Sequence, residues 1–479
     1  MSKTAWMRRE KLAAMAALVI LLAGQAMATM DDSILAVAAP SLRADLHASG
    51  GELQLVVVMY TVAVGALVVT GARLGDTLGR GRAFVYGVGA FTLASLAGGL
   101  APSVQVLIVA RTCQGAAAAL MMPQVLSIIQ TQFEGQRRAR AIGTYSMILA
   151  AGVAVGQILG GILVSAHLLA AAWRPALLAN VPVGAVLLVS SRRALPRIGP
   201  GSGQRLDLGG VALLGTCMLA LVAPLSLGRD YGWPPWVWPC FAACAITGVG
   251  FVTLERRLKA RAGYPLFDLG VLQQPGVVPG VLAVLLIMAC YSGFLLSLTL
   301  FLQTDLRFSP LRAGLVFAVY ATGFAVACLT WSSASHPTRA RMPVLGPLLM
   351  GVALLAIGLL ARHGGWPLAL AAPLLFAAGV GHAVGFSPLA HRLSTLVRPA
   401  QAADLSGLVL TADWIGTVLG IASFAGIYLS SAAHGPARGL AATTDAIAVT
   451  LLATAACAWV AVKTSSEPLC SATQCPAET

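Results

Sequence analysis

Charge is scarce in this 479-residue sequence: 10% of its residues are Asp, Glu, Lys or Arg, against about 25% in an ordinary soluble domain, and 58% are hydrophobic. A water-soluble fold of this length has too little polar surface to cover so apolar a chain, so lipid is the solvent for most of it. The sequence holds no nucleotide-binding glycine loop, no metal-spaced His/Cys cluster and no nucleophile–base set. It also has no stretch with the composition of a soluble catalytic domain. These absences argue against an enzyme and against a cofactor. The sequence has nine cysteines; six of them, Cys113, Cys217, Cys244, Cys290, Cys328 and Cys457, lie inside apolar runs, and two, Cys470 and Cys475, lie in the C-terminal tail. Free thiols are expected.

What is abundant is apolar length. A helix rises about 1.5 Å per residue, so about 20 apolar residues cross the hydrocarbon. Runs between clusters of charge, Pro and Gly place fourteen spans, at 12–38, 53–73, 83–101, 104–130, 140–166, 174–191, 208–228, 235–254, 277–303, 311–333, 342–362, 366–390, 402–430 and 440–462. An even number puts both termini on one side. With the N-terminus in the cytoplasm, 23 of the 31 basic residues fall on inside segments, including Arg8, Arg9, Arg73, Arg80, Arg137, Arg192, Arg256 and Lys463. Seven fall outside, and Arg111 falls within a span. That is the positive-inside pattern. The net charge of +14 is therefore topological, not the mark of a nucleic-acid partner. The expectation is a multi-pass protein of the inner (cytoplasmic) membrane with both termini cytoplasmic.

Two local features fit the same reading. Basic residues ahead of Ala26-Met27-Ala28 resemble a secretory leader, but the apolar run continues to Pro40 and reads as an uncleaved first span. Trp233, Trp236 and Trp238 read as anchors at the membrane surface.

Polar breaks at 192–206 and 255–276 divide the chain. The expected organisation is a six-span bundle over 1–192, a linker over 193–269 with two inserted spans and a cytoplasmic loop, a second six-span bundle over 270–465, and a cytoplasmic tail over 466–479. Tyr264 to Leu269 is expected as a short interfacial helix. Two bundles around one site, alternately open to each side, is a common build for secondary transporters; a monomeric carrier is expected.

A charge at mid-span costs about 2.5–3.5 kcal/mol on insertion scales, so each one needs a reason. Asp31 and Asp32 lie in the outer third of span 1, and Arg111 lies at similar depth in span 4, which runs the opposite way. An ion pair between the two spans follows, either structural or functional. Hydrophobic replacement of such pairs is often no less stable, which favours function. Two adjacent acids sharing one cation cannot both be cheaply ionised, so one of them is a proton carrier. Asp413, near the middle of span 13, has no basic residue in neighbouring turns, and reads as a group for a proton or a cationic substrate. His382 reads either as a packed, hydrogen-bonded histidine or as a proton relay. Between spans 2 and 3, Arg73, Asp76, Gly79 and Arg80 form either a charged conformational latch or a solvated turn. Gly152, Gly156 and Gly160, with Gly161, put a smooth stripe on span 5 for close helix contact, beside a buried Gln157 that needs a partner.

Together these segments resemble the major facilitator superfamily, and within it the fourteen-span drug:proton antiporters. The resemblance rests on Met30-Asp31-Asp32-Ser33-Ile34 running to Pro40, on Asp76, Gly79 and Arg80, and on Arg111-Thr112-Cys113-Gln114-Gly115 running to Pro123. Gly152 to Gly161, Trp173-Arg174 with Asn180-Val181-Pro182, Gln303 with Ser309 to Gly314, and Gly416 with Gly420 extend it over nearly the whole chain. It implies an all-α integral membrane fold of two six-helix bundles plus two inserted helices. The implied activity is proton-coupled efflux of lipophilic, in part cationic, drugs or secondary metabolites. The implied partners are a small lipophilic molecule, protons and membrane lipid, with the proton gradient in place of a cofactor. Asp31, Asp32 and Arg111 are then the proton-coupling set, and Gln114 stands with Asp413 and His382 as a substrate or proton contact. The chain departs from the pattern at Ala72, Thr77 and Gly81 in the latch, at Ala36 in span 1, and at Gln157, where the family has Pro. That last departure leaves an importer of a nutrient or siderophore on the same fold as the alternative.

Overall fold

The computed structural model describes residues 3–133, 135–166, 171–194, 207–228, 230–261, 266, 268–362, 366–397, 401–432 and 435–464. The tail at 466–479, with Cys470 and Cys475, lies outside the described residues. The protein is all-helical. Its helices are α1 (Lys3–Leu46), α2 (Gly50–Leu78), α3 (Arg80–Gly99), α4 (Val104–Gln132), α5 (Gly135–Ser165), α6 in two pieces (Arg174–Leu178 and Asn180–Ala194), α7 (Leu208–Leu227) and α8 (Val237–Ala260). There follow α9 (Val277–Leu300), α10 (Pro310–Thr330), α11 (His336–Arg362), α12 (Leu368–Thr395), α13 (Ala402–Gly420, extended by Ile421–Ala425 and Gly426–Ser431) and α14 (Pro436–Thr464). Twelve of these are long and apolar enough to cross a membrane, and α3 and α5 complete the fourteen.

The helix ends follow local chemistry. Ser49 caps α2 in a reciprocal box with Glu52, and Ser309 caps α10 just ahead of Pro310, which needs no N–H at the first helical position. Gly79, at φ +89°, makes the α2–α3 turn, a conformation that a side chain disfavours. The interfacial helix expected over Tyr264 to Leu269 falls partly outside the described residues. Residues 262–265 and 267 lie outside the described residues, and what is described is a 3₁₀ turn over Leu269–Gln273, opened by Asp268 capping Gly270 N.

The packing repeats itself. In the first half α1 packs on α5 and α6, α2 on α4, α3 on α4 and α6; in the second half α9 packs on α13 and α14, α10 on α12, α11 on α12 and α14. Shifting each helix number by eight turns one set into the other. The contacts between halves obey the same relation: α5 lies on α10 and α13 lies on α2. Helices α7 and α8 pack on each other and, through α7, on α2. Most of α8 is uncovered: Trp238, Ile246 and Val249 are exposed, as lipid-facing side chains of an added span should be.

The halves are clasped at one end. Gln303 Nε2 donates to Val37 O at 3.0 Å, joining the segment after α9 to α1, and Leu311 N donates to Ser165 Oγ at 3.3 Å, joining α10 to α5.

Candidate functional site

Asp31 is the centre of a buried polar cluster. Its side chain and that of Arg111 are each 1% exposed, and Arg111 Nη1 donates to Asp31 Oδ2. The ion pair expected between the first and fourth helices is formed. The other oxygen, Oδ1, accepts from Gln114 Nε2 at 2.9 Å and from Asn180 Nδ2. Gln114 is committed on every side, because its Oε1 accepts from Arg111 at 2.7 Å and its Nε2 also donates to Ser95 Oγ at 2.8 Å. Arg111 Nε reaches Val56 O at 3.3 Å, and its guanidinium lies 4.5 Å from the Tyr60 ring centre. Tyr60 in turn donates to Ala28 O, one turn before Asp31. Helices α1, α2, α3, α4 and α6 thus converge on one carboxylate.

Several expected residues fall elsewhere. Gln114 joins the Asp31–Arg111 cluster and not Asp413 or His382. Asp32 lies on α1, but its side chain is outside the described residues. His382 is buried in the second half, where Nδ1 shares a hydrogen bond of 2.9 Å with Tyr320 OH, and Nε2 has no partner among the described residues. Aromatic rings surround it: Phe324 at 4.7 Å and Tyr291 at 4.8 Å between ring centres, with Phe386 beyond. Asp413 is half-buried on α13, and among the described residues no hydrogen bond or ion pair reaches its carboxylate. Its neighbour Trp414 packs over Gly65 of α2, which places this stretch of α13 at the boundary between the halves.

The turn residues Asp76 and Arg80 pair with each other at 3.1 Å, and Arg80 also donates to Ser127 O, so in this state their bonds stay within the first half. Arg73 stands one turn earlier on α2.

The glycine stripe brings two backbones together. A Cβ on Gly156 would lie 2.0 Å from Ser33 Oγ and 2.7 Å from Met30 O, so α5 runs against the turn of α1 that carries Asp31. Gly152 and Gly160 face the same helix. In the second half Gly420 does the same to α9, where a Cβ would lie 2.0 Å from Ala289 O. Gly161 and the backbone of Gln157 meet α10 instead, at Leu311 and Gly314. Gln157 is 1% exposed, and neither its Oε1 nor its Nε2 has a partner among the described residues. An unsatisfied buried amide costs about 1–3 kcal/mol, and here the cost falls on the clasped state. Gln157→Leu should therefore favour that state by about fivefold or more. Thiol labelling of a Ser165→Cys reporter should slow accordingly; unchanged or faster labelling would show that the amide does not oppose closure.

The residues that only the structure brings to the site are Asn180, Ser95 and Tyr60. Asn180 carried a signal, since it precedes a proline that breaks α6; a lone Ser and a lone Tyr in apolar helices carried none.

Comparison with known proteins agrees with this architecture. The chain is 33% identical to the probable actinorhodin transporter of Streptomyces coelicolor, across 85% of this chain and 71% of that protein. It is 34% identical to the cephamycin export protein CmcT of Amycolatopsis lactamdurans, across 92% and 90%, and 33% identical to the puromycin resistance protein pur8 of Streptomyces alboniger, across 94% and 92%. Among solved structures, a bacterial homologue of the human lysosomal transporter Spinster, inward-facing and occupied, superposes with TM-score 0.66 at 16% identity, over 93% of this chain and 96% of that one. A peptide transporter POT in complex with sulfate gives 0.68 at 16%, over 94% and 95%. Residues 21–421 match the Major Facilitator Superfamily, and the chain is a membrane transporter belonging to that family.

Proposed function

We propose that this transporter exports small lipophilic molecules of the drug or secondary-metabolite type from the cytoplasm in exchange for protons. The observation that carries the reading is the Asp31 carboxylate, buried with Arg111 and set in hydrogen-bond donors on the helix that lies under the glycines of α5. A carboxylate so placed is a costly feature for folding alone, and a proton is the smallest ligand that discharges it. The names of the relatives, an export protein and a resistance protein among them, support export over import.

In this reading residues 1–192 and 270–465 are the two moving bundles and 193–269 carries the inserted pair. Both termini are cytoplasmic, the carrier works as a monomer in the inner membrane, and no cofactor is needed. Asp31, Asp32 and Arg111 hold the proton, with Gln114 as part of the same cluster. Asp413 is a second acid, next to the Trp414 that packs on the other bundle, and the aromatic surround of His382 offers stacking faces to a substrate. Arg73, Asp76, Gly79 and Arg80 form the latch, which engages a partner in the other conformation. Gly152, Gly156 and Gly160 let α1 slide on α5, while Gln157 and Gly161 seal α5 on α10.

The energetics suffice. One proton crossing about 150 mV releases about 3.5 kcal/mol, and each pH unit adds about 1.4. That sustains a gradient of several hundredfold for a neutral substrate. The test uses everted vesicles with an acidified lumen. Adding a substrate found by a toxicity panel in a pump-deficient host should release lumenal protons and dequench a pH-sensitive dye. Deepened quenching would indicate symport and import; no response to any exported compound would remove the proton from the mechanism.

A further inference from the structure

We infer that Asn180 is a positioning residue for the Asp31 carboxylate, and that it sets the pH at which the carrier gives up its proton. The inference rests on the reading of Asp31 as the proton carrier and adds a residue to it.

Helix α6 is broken near its start. Pro182 has no N–H to donate to the carbonyl of Leu178, four residues before it, and its ring crowds that carbonyl. The first piece of α6 stops at Leu178, Ala179 forms the joint, and helix resumes at Asn180. Thr92 of α3 packs directly on Gly184, so the resumed helix is pressed into the first half. Asn180 is thereby held 5% exposed, with Nδ2 on Asp31 Oδ1.

The amide differs from the other donors in the cluster. Arg111 is a fixed cation, and Gln114 is bonded at both of its ends, to Arg111 and to Ser95 as well as to Asp31. Asn180 comes from a separate helix and spends its bond on Asp31. A primary amide serves both protonation states: its NH2 donates to the carboxylate, and after the amide turns over, its C=O accepts from the carboxylic acid. When a proton arrives on Oδ1, two N–H groups face an O–H, and one of them must turn or leave. Asn180 is the free one. The proton comes from the side to which the site is open, sits on Oδ1, and departs when Asn180 turns its NH2 back.

Asp32, the next residue on α1, has its side chain outside the described residues. Among the described residues the charged or titratable groups that face the Asp31 carboxylate are Arg111 from α4 and, against Arg111, the Tyr60 phenol from α2; α3 contributes Ser95, α5 contributes Gly156, and α6 contributes Asn180.

Asn180→Leu, which fills the space without a hydrogen bond, and Asn180→Ala should each move the pH midpoint of substrate-evoked proton movement upward by about one unit. The sign follows from the state that loses support. Without the donor the ionised form is less favourable, the proton is held more tightly, and release needs a higher pH. Asn180→Ser keeps a shorter donor and should move the midpoint less. Apparent substrate affinity at saturating pH should stay as in the unmodified protein, a split that a general packing defect would not give. If either Leu or Ala variant reaches the membrane and keeps the original midpoint, or lowers it, the assignment is overturned. Failure of the parent reading looks different: the unmodified carrier would then show no proton movement at all.

Discussion

Asp31→Asn is expected to abolish proton-coupled export while the protein still reaches the membrane. The substitution keeps the size but removes the charge and the site of protonation, and it turns one of the two acceptor oxygens into a donor. The steady-state gradient of a neutral substrate should fall from several hundredfold to near unity, the ratio that corresponds to loss of about 3.5 kcal/mol per proton. A structural role predicts loss too, because Arg111 would remain buried without its counter-ion, and breaking such a pair costs about 3–5 kcal/mol. The two explanations separate in a double variant. Asp31→Asn with Arg111→Met removes the orphaned cation, and replacement of both members of a buried pair is often neutral or stabilising. Melting temperature in detergent should then return to the original value while transport stays absent. Recovery of transport together with stability would make the pair a strut and end its role in coupling.

How much of this was legible before the structure depends on the kind of group. The fourteen helices were, because apolar length and the alternation of basic loops are one-dimensional signals. The Asp31–Arg111 pair was legible as well: two charges at equal depth on antiparallel helices have few other partners. The bonds of Gln114 to Asp31 and Arg111 were foreshadowed only by spacing, since it lies three residues after Arg111 and so on the same helical face. Asn180 could be read as a motif residue but not as a ligand of Asp31, because its reach depends on the angle at which α6 restarts after Leu178. The contact of His382 with Tyr320 was hidden for a similar reason, being made between α10 and α12, 62 positions apart. The repeat of packing between halves was invisible too, because it resides in small residues such as Gly156 and Gly420 that meet backbone, not in matching side chains.

Asp413→Asn should divide substrates by charge. A monovalent cation exchanged for one proton moves no net charge, so the membrane potential drops out and only the pH difference drives export, about tenfold per pH unit. A second proton restores the electrical term, worth about 3.5 kcal/mol at 150 mV. In the proposed mechanism Asp413 carries it. It sits on α13 beside Trp414 at the boundary between the halves, and no cation neutralises it among the described residues. In the unmodified protein the gradient of a cationic dye should therefore rise when the potential is raised at constant pH difference. In Asp413→Asn it should not, while export of a neutral compound should keep its dependence on potential through the proton on Asp31. Potential clamped with valinomycin and potassium in vesicles provides the measurement. A cationic gradient that still follows potential in the variant would show that the second charge travels elsewhere. Loss of cation binding at zero potential, with neutral substrates untouched, would instead place the dye's own charge against this carboxylate.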